Sequence, residues 1–117
     1  MSTVQVLGSE ARTASVTAEA STRGEKGAVV VVDVTAVAAT PSITVTIRGK
    51  DGSGETWDIL ASTAITTVST TVLKVYPGLT AAANTVANDV LPRQWEVAVV
   101  AADADEITYS VFAHLIP

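Results

Sequence analysis

Two runs towards the C-terminal end of the chain alternate with period two. Trp95, Val97, Val99 and Ala101 fall on one face of an extended chain, and Ile107, Tyr109, Val111 and Ala113 fall on one face of another. Successive side chains of a strand point to opposite faces, so each run reads as a strand with one side in a core. Only Ala102-Asp103-Ala104-Asp105-Glu106 separates them. That link is too short for a crossover helix, so the two runs are expected to pair antiparallel as a hairpin. Nothing in the pattern carries chemistry; it specifies a β domain.

The rest of the chain repeats this theme. Ala28 to Val37 is apolar on both parities apart from Asp33 and Thr35. Such runs belong to strands covered on both faces, here with another subunit or the N-terminal segment expected over the outer one. After Thr40-Pro41-Ser42, Ile43, Val45 and Ile47 alternate inward. Gly49 to Gly54 forms a glycine-rich turn, and Trp57 and Ile59 return on one face, giving a second hairpin. Residues 61–71 read as an irregular edge with a weak strand near Ile65. Val72 to Tyr76 reads as a strand stopped by Pro77-Gly78. Leu79 to Val90 is rich in Ala and Asn but has no apolar stripe, so a crossing loop with at most one helical turn is expected. Residues 1–27 read as an N-terminal arm with weak strands, residues 1–8 as either an edge strand or a segment lying on a neighbouring subunit and Thr13 to Ala18 as a weak strand, and residues 28–117 as the sandwich, one domain in all. The expected architecture is an antiparallel β-sandwich, jelly-roll or Ig-like, of seven or eight short strands. Its expected core is Val30, Val32, Val45, Ile47, Trp57, Ile59, Trp95, Val97, Val99, Ile107, Tyr109 and Val111.

Composition bounds what such a domain does. At 117 residues it is long enough for a core of its own. It has no cysteine, so neither disulfides nor thiolate metal sites are available. Charged residues make up 16%, against about 25% in ordinary soluble domains. The mean hydropathy is +0.40. That combination leaves apolar surface for other subunits to cover, and an oligomer, a trimer above all, is expected. The net charge is −5 and the seven Lys and Arg are scattered, so nucleic acid is not an expected partner. No apolar run is long enough for a membrane-spanning helix, and no signal peptide is read.

Candidate chemistry is sparse. His114 is the sole histidine, without assignable partners for a triad or metal site. Asp103, Asp105 and Glu106 share one turn, as do Asp51 and Glu55, but neither spacing is that of a calcium loop. Asp33 within an apolar run requires a partner or an edge position, with Arg48 and Arg93 as candidates. No cofactor, metal or catalytic residue is expected. Val4, Val6 and Leu7 in the arm, and Leu79, Asn84 and Asn88 in the long loop, are the candidate interface residues. An arm of that kind satisfies its backbone by adding to a neighbouring chain.

Val32-Asp33-Val34-Thr35-Ala36-Val37, Pro41, Ile43-Thr44-Val45-Thr46-Ile47, Asp51-Gly52 and Trp57 together resemble small virion proteins of tailed bacteriophages. So do Tyr76-Pro77-Gly78-Leu79-Thr80, Asn84, Asn88-Asp89, Leu91-Pro92-Arg93, Trp95, Asp103-Ala104-Asp105 and Ile107-Thr108-Tyr109-Ser110-Val111. The resemblance covers residues 28–116 and rests on fold motifs. It implies a non-enzymatic capsid decoration (cement) or minor capsid protein on the capsid surface of the virion, made in the host cytoplasm. The major capsid protein and copies of itself would be its partners. The alternatives are a tail or head–tail connector component and a carbohydrate-binding module that stacks sugars on Trp57, Trp95 or Tyr76.

Overall fold

The computed structural model describes residues 2–117, and they are all β. The strands are β1 (Ser2–Arg12), β2 (Val16–Ser21), β3 (Gly27–Val37), β4 (Ile43–Lys50), β5 (Thr56–Ala61), β6 (Ser69–Val75), β7 (Val86–Ala87), β8 (Gln94–Ala101) and β9 (Ile107–Ile116). There are nine among the described residues, where seven or eight were expected, because the long loop contributes the two-residue β7.

The pairing is nested. β4 pairs with β5, β3 with β6, β2 with β8 and β1 with β9, each antiparallel. These pairs form one long hairpin whose tip is the turn after Lys50. The hairpin is then wrapped so that β3 also pairs with β9 and β4 with β8. Two sheets result, in the orders β1-β9-β3-β6-β7 and β2-β8-β4-β5. This is a jelly roll. An Ig-like sandwich would place the first two strands side by side in one sheet, whereas here β1 and β2 lie in different sheets.

The nesting overturns the hairpin expected from the C-terminal runs. β8 and β9 do not pair; the acidic link carries the chain from one sheet to the other. Alternation shows which face of a strand is buried but not which strand lies beside it. Opposed sheets let the inward side chains of β8 and β9 meet face to face across the core, which one shared sheet would forbid. Two main-chain bonds hold the crossing, Ala102 N–H to Ser42 O at 3.0 Å and Ala38 N–H to Glu106 O at 3.0 Å.

Of the two readings of residues 1–8, the edge strand is the one seen, from Ser2 onward. β1 is an edge strand in register with β9 from Thr3 opposite His114 to Arg12 opposite Ile107, and β2 lies in register along β8. The small, polar composition of residues 1–27 suits edge strands, which bury only part of one face. Two register shifts, between Gln5 and Leu7 and between Leu7 and Glu10, break the regularity of the β1 edge. Such irregularities discourage pairing with another chain.

Val30, Val32, Val45, Ile47, Trp95, Val97, Val99, Ile107, Tyr109 and Val111 are all buried, joined by Val34, Leu73 and Val75. Two expected core residues are not. Trp57 is 46% exposed, and Ile59 is only half-buried, packed against the edge of the core. A bulge displaces Ile59. Ile47 lies opposite Leu60, but Arg48 lies opposite Asp58, so Ile59 is an extra residue on β5. The extra residue reverses the alternation, and Leu60 takes the inward place expected for Ile59. Trp57 keeps its inward parity, in a row with Gly49, Trp95 and Ala20, and is exposed because it ends that row on the edge strand β5. Its ring covers Gly49 so closely that a Cβ there would lie 2.3 Å from it.

Candidate functional site

The residues singled out for chemistry are used locally. His114 Nδ1 lies 3.0 Å from Thr3 Oγ1, a bond that ties β1 to β9. Asp33 points out of the sheet and, among the described residues, accepts only from Thr70 Oγ1, at 3.3 Å. Neither Arg48 nor Arg93 is its partner: Arg48 Nε donates to Asp58 at 2.9 Å. In the acidic link, Asp105 accepts from Thr40 N–H and Thr40 Oγ1, both at 3.2 Å, and Asp103 accepts from Asp105 N–H. Asp51 Oδ1 closes its own turn by accepting from Ser53 N–H, Ser53 Oγ and Glu55 N–H, and those bonds hold its carboxyl below the ordinary range. Among the described residues no group of three or more His, Cys, Asp or Glu is placed to hold a metal ion.

The outer face of the four-stranded sheet is charged. Glu19, Glu96, Arg48 and Asp58 lie in one row across it. Lys50 Nζ donates to Glu19 at 2.6 Å and lies 3.9 Å from Glu96. The contact with Lys50 lowers the Glu19 pKa, and the same contact raises that of Lys50. Glu96 is nearly buried under Arg48 and Lys50, whose cationic groups lie 3.7 and 3.9 Å from it. This part of the face is polar and paired within itself; Val100, further along β8, is exposed on the same face.

The outer face of the five-stranded sheet is different. Its central row is Gln5, Phe112, Val31 and Val72. Phe112 is 36% exposed and Val72 39% exposed. The next row is Thr3, His114, Val29 and Lys74. Beyond it Val29, Tyr76, Leu79, Lys74 and Ile116 line a shallow, mostly apolar depression of about 310 Å³. On the other side of the central row lie Ser110, Asp33 and Thr70. The unbroken apolar run of β3 was expected to be covered on both faces. Within the chain only Ala28, Val30, Val32 and Val34 are covered; Val29 and Val31 are half-buried and face outward. A contiguous apolar patch with a polar rim is the usual mark of a contact surface.

The candidate interface residues of the sequence scatter. Leu79 joins the apolar face through the depression beside Ile116. Val4 lies at the opposite edge, with Ser21, Arg23, Glu25 and Leu115. Val6 and Leu7 pack onto the core of their own chain. Asn84 and Asn88 shape their loop: Asn84 adopts φ +63° and donates from Nδ2 to Ala61 O, and Asn88 Oδ1 accepts from Gly78 N–H. Phe112, Val72 and Val31 were not singled out, yet the signal was present. Phe112 has outward parity in a run whose inward set is Ile107, Tyr109, Val111 and Ala113.

No family model, curated protein or solved structure matches the chain.

Proposed function

We propose that this chain is a non-enzymatic structural protein of a tailed-bacteriophage virion. Its role is capsid decoration, or that of a minor capsid protein, binding and stabilising the assembled head. The major capsid protein and copies of itself are its partners. The observation that carries the reading is the apolar outer face of the five-stranded sheet, centred on Phe112, Val31 and Val72. It is set on a jelly roll, an architecture that viral capsid domains use. Fold alone does not assign function; the virion context comes from the resemblance of residues 28–116 to small phage structural proteins. A protein that binds the assembled shell and not its free subunits stabilises the shell by mass action.

The test uses heads purified without this protein from the phage whose genome encodes the chain. Adding the purified protein should saturate the heads at hundreds of copies and raise their disruption temperature, while unassembled capsid subunits bind none. Failure to bind heads, or recovery at only a handful of copies in tails or connectors, would overturn it.

A second reading, sugar binding, is favoured by one observation, the exposure of Trp57. A half-exposed indole is the kind of flat surface on which a sugar ring stacks. If that reading holds, polysaccharide quenches the fluorescence of Trp57 in a Trp95→Phe variant.

A further inference from the structure

We infer that the outer face of the five-stranded sheet is where two copies of this chain meet, across a two-fold axis that crosses the strands along the Phe112–Val31–Val72 row. The inference stands on this face alone and does not rest on the virion reading. The occupant is identified by charge. Lys74 lies one row to one side of the apolar centre and Asp33 one row to the other, on the neighbouring strands β6 and β3. Both are exposed, and neither has an ion-pair partner among the described residues.

A contact between identical faces is isologous, so each residue meets the image of its own face. Two axes in the plane of the sheet are simple. An axis running along β3 would set Asp33 on Asp33 of the second copy and Lys74 over His114, a like-charge arrangement in a desolvated layer. An axis running across the strands through the central row places Phe112 on Phe112, Val31 on Val31 and Val72 on Val72. It also carries each Lys74 over the other copy's Thr70, one strand away from Asp33. At the roughly 4.8 Å spacing of strands, a lysine side chain spans that offset. Two cross-copy ion pairs therefore frame one apolar strip, and strands of the two copies run antiparallel across the contact. Leu79, Tyr76 and Ile116 extend the apolar rim beyond Lys74.

The size of the face sets the strength. Four long strands by some seven residues present roughly 450 Å² in plan, less than the about 800 Å² per partner of a standard stable interface. The dimer is correspondingly weak, in the micromolar range. It takes the place of the trimer expected from composition.

Sedimentation velocity of the full chain from about 1 to 300 µM tests this. The expected result is a concentration-dependent shift from 12.0 kDa to twice that mass. Phe112→Lys abolishes the shift. Lys74→Glu and Asp33→Lys each weaken association at least about tenfold, because each creates two like-charge contacts. An equimolar mixture of those two variants regains wild-type association, since every contact in the mixed dimer is again between opposite charges. Circular dichroism of each variant checks that the sandwich is folded. A monomer throughout the range, a species of three chains, undiminished association of Phe112→Lys, or a mixture no stronger than its components would each overturn the proposal.

Discussion

The two tryptophans behave differently in this fold. Trp95 is 1% exposed at the centre of the Ala20–Trp95–Gly49–Trp57 row, while Trp57 lies at its open end. Trp95→Ala should destabilise by about 3–5 kcal/mol, the range for removing a large buried aromatic. Trp57→Ala should cost no more than about 1 kcal/mol, as for other surface positions. Urea unfolding measures both, and iodide should quench Trp57 but not Trp95. Tyr109 gives a second contrast. Its ring is buried beneath the Arg12 guanidinium, 4.6 Å away, and its hydroxyl has no hydrogen-bond partner among the described residues. Burial pushes the phenol pKa up, against a smaller downward pull from Arg12. The stability due to the neutral phenol is therefore whole below the ordinary tyrosine pKa of about 10 and is lost as pH rises through the higher folded-state value. Tyr109→Phe should leave stability at pH 7 within about 1 kcal/mol of the parent or raise it, because it removes an unpaired buried hydroxyl. It should also flatten the loss of stability above pH 10. A large loss at pH 7 would mean that the hydroxyl is satisfied. Residue burial was legible from period-two alternation wherever the strand is regular. It failed at Ile59, because a bulge displaces that residue and nothing in Glu55-Thr56-Trp57-Asp58-Ile59-Leu60 announces one; Trp57 has the expected inward parity but is exposed at the end of its row on the edge strand β5.

At the scale of elements, strands were easier to find than their neighbours. β3, β4, β6, β8 and β9 stand out by apolar runs or alternation, and the glycine-rich turn marks the β4–β5 pair. The placement of β8 and β9 in different sheets was not legible, since partner choice depends on long-range closure of the sandwich. β1 and β2 were legible only as weak strands, because the small, polar composition of edge strands blurs their alternation. Their integration changes what truncation does. Removing residues 2–8 takes away most of the β1 ladder on β9 and the packing of Val6 and Leu7 on the core. The loss should be about 2–4 kcal/mol, from two partly buried aliphatic side chains. Thermal unfolding of the truncated chain checks this, and an unchanged melting temperature would show that β1 is dispensable. Gly27 offers a sharper local test. A Cβ there would lie 2.1 Å from the Val75 carbonyl oxygen. Gly27→Ala should therefore lower stability by about 1–3 kcal/mol, as overpacking does.

At the scale of the whole molecule, the two outer faces divide the surface. One is laced by Arg48, Lys50, Glu19, Glu96 and Asp58; the other is apolar between Lys74 and Asp33. Low charge in the composition pointed to a covered surface but not to its place, which depends on how the sheets are assembled. On the proposed reading the chain is a structural component of a phage head, with this apolar face covered by a second copy. The decisive test of that proposal is cryo-electron microscopy, at subnanometre resolution, of phage particles that carry the chain. The expected map shows nine-strand jelly-roll density repeated over the capsid surface, with the Phe112 face buried against a second copy. Heads bare of such density, or the jelly roll found only in the tail with Phe112 facing solvent, would contradict it.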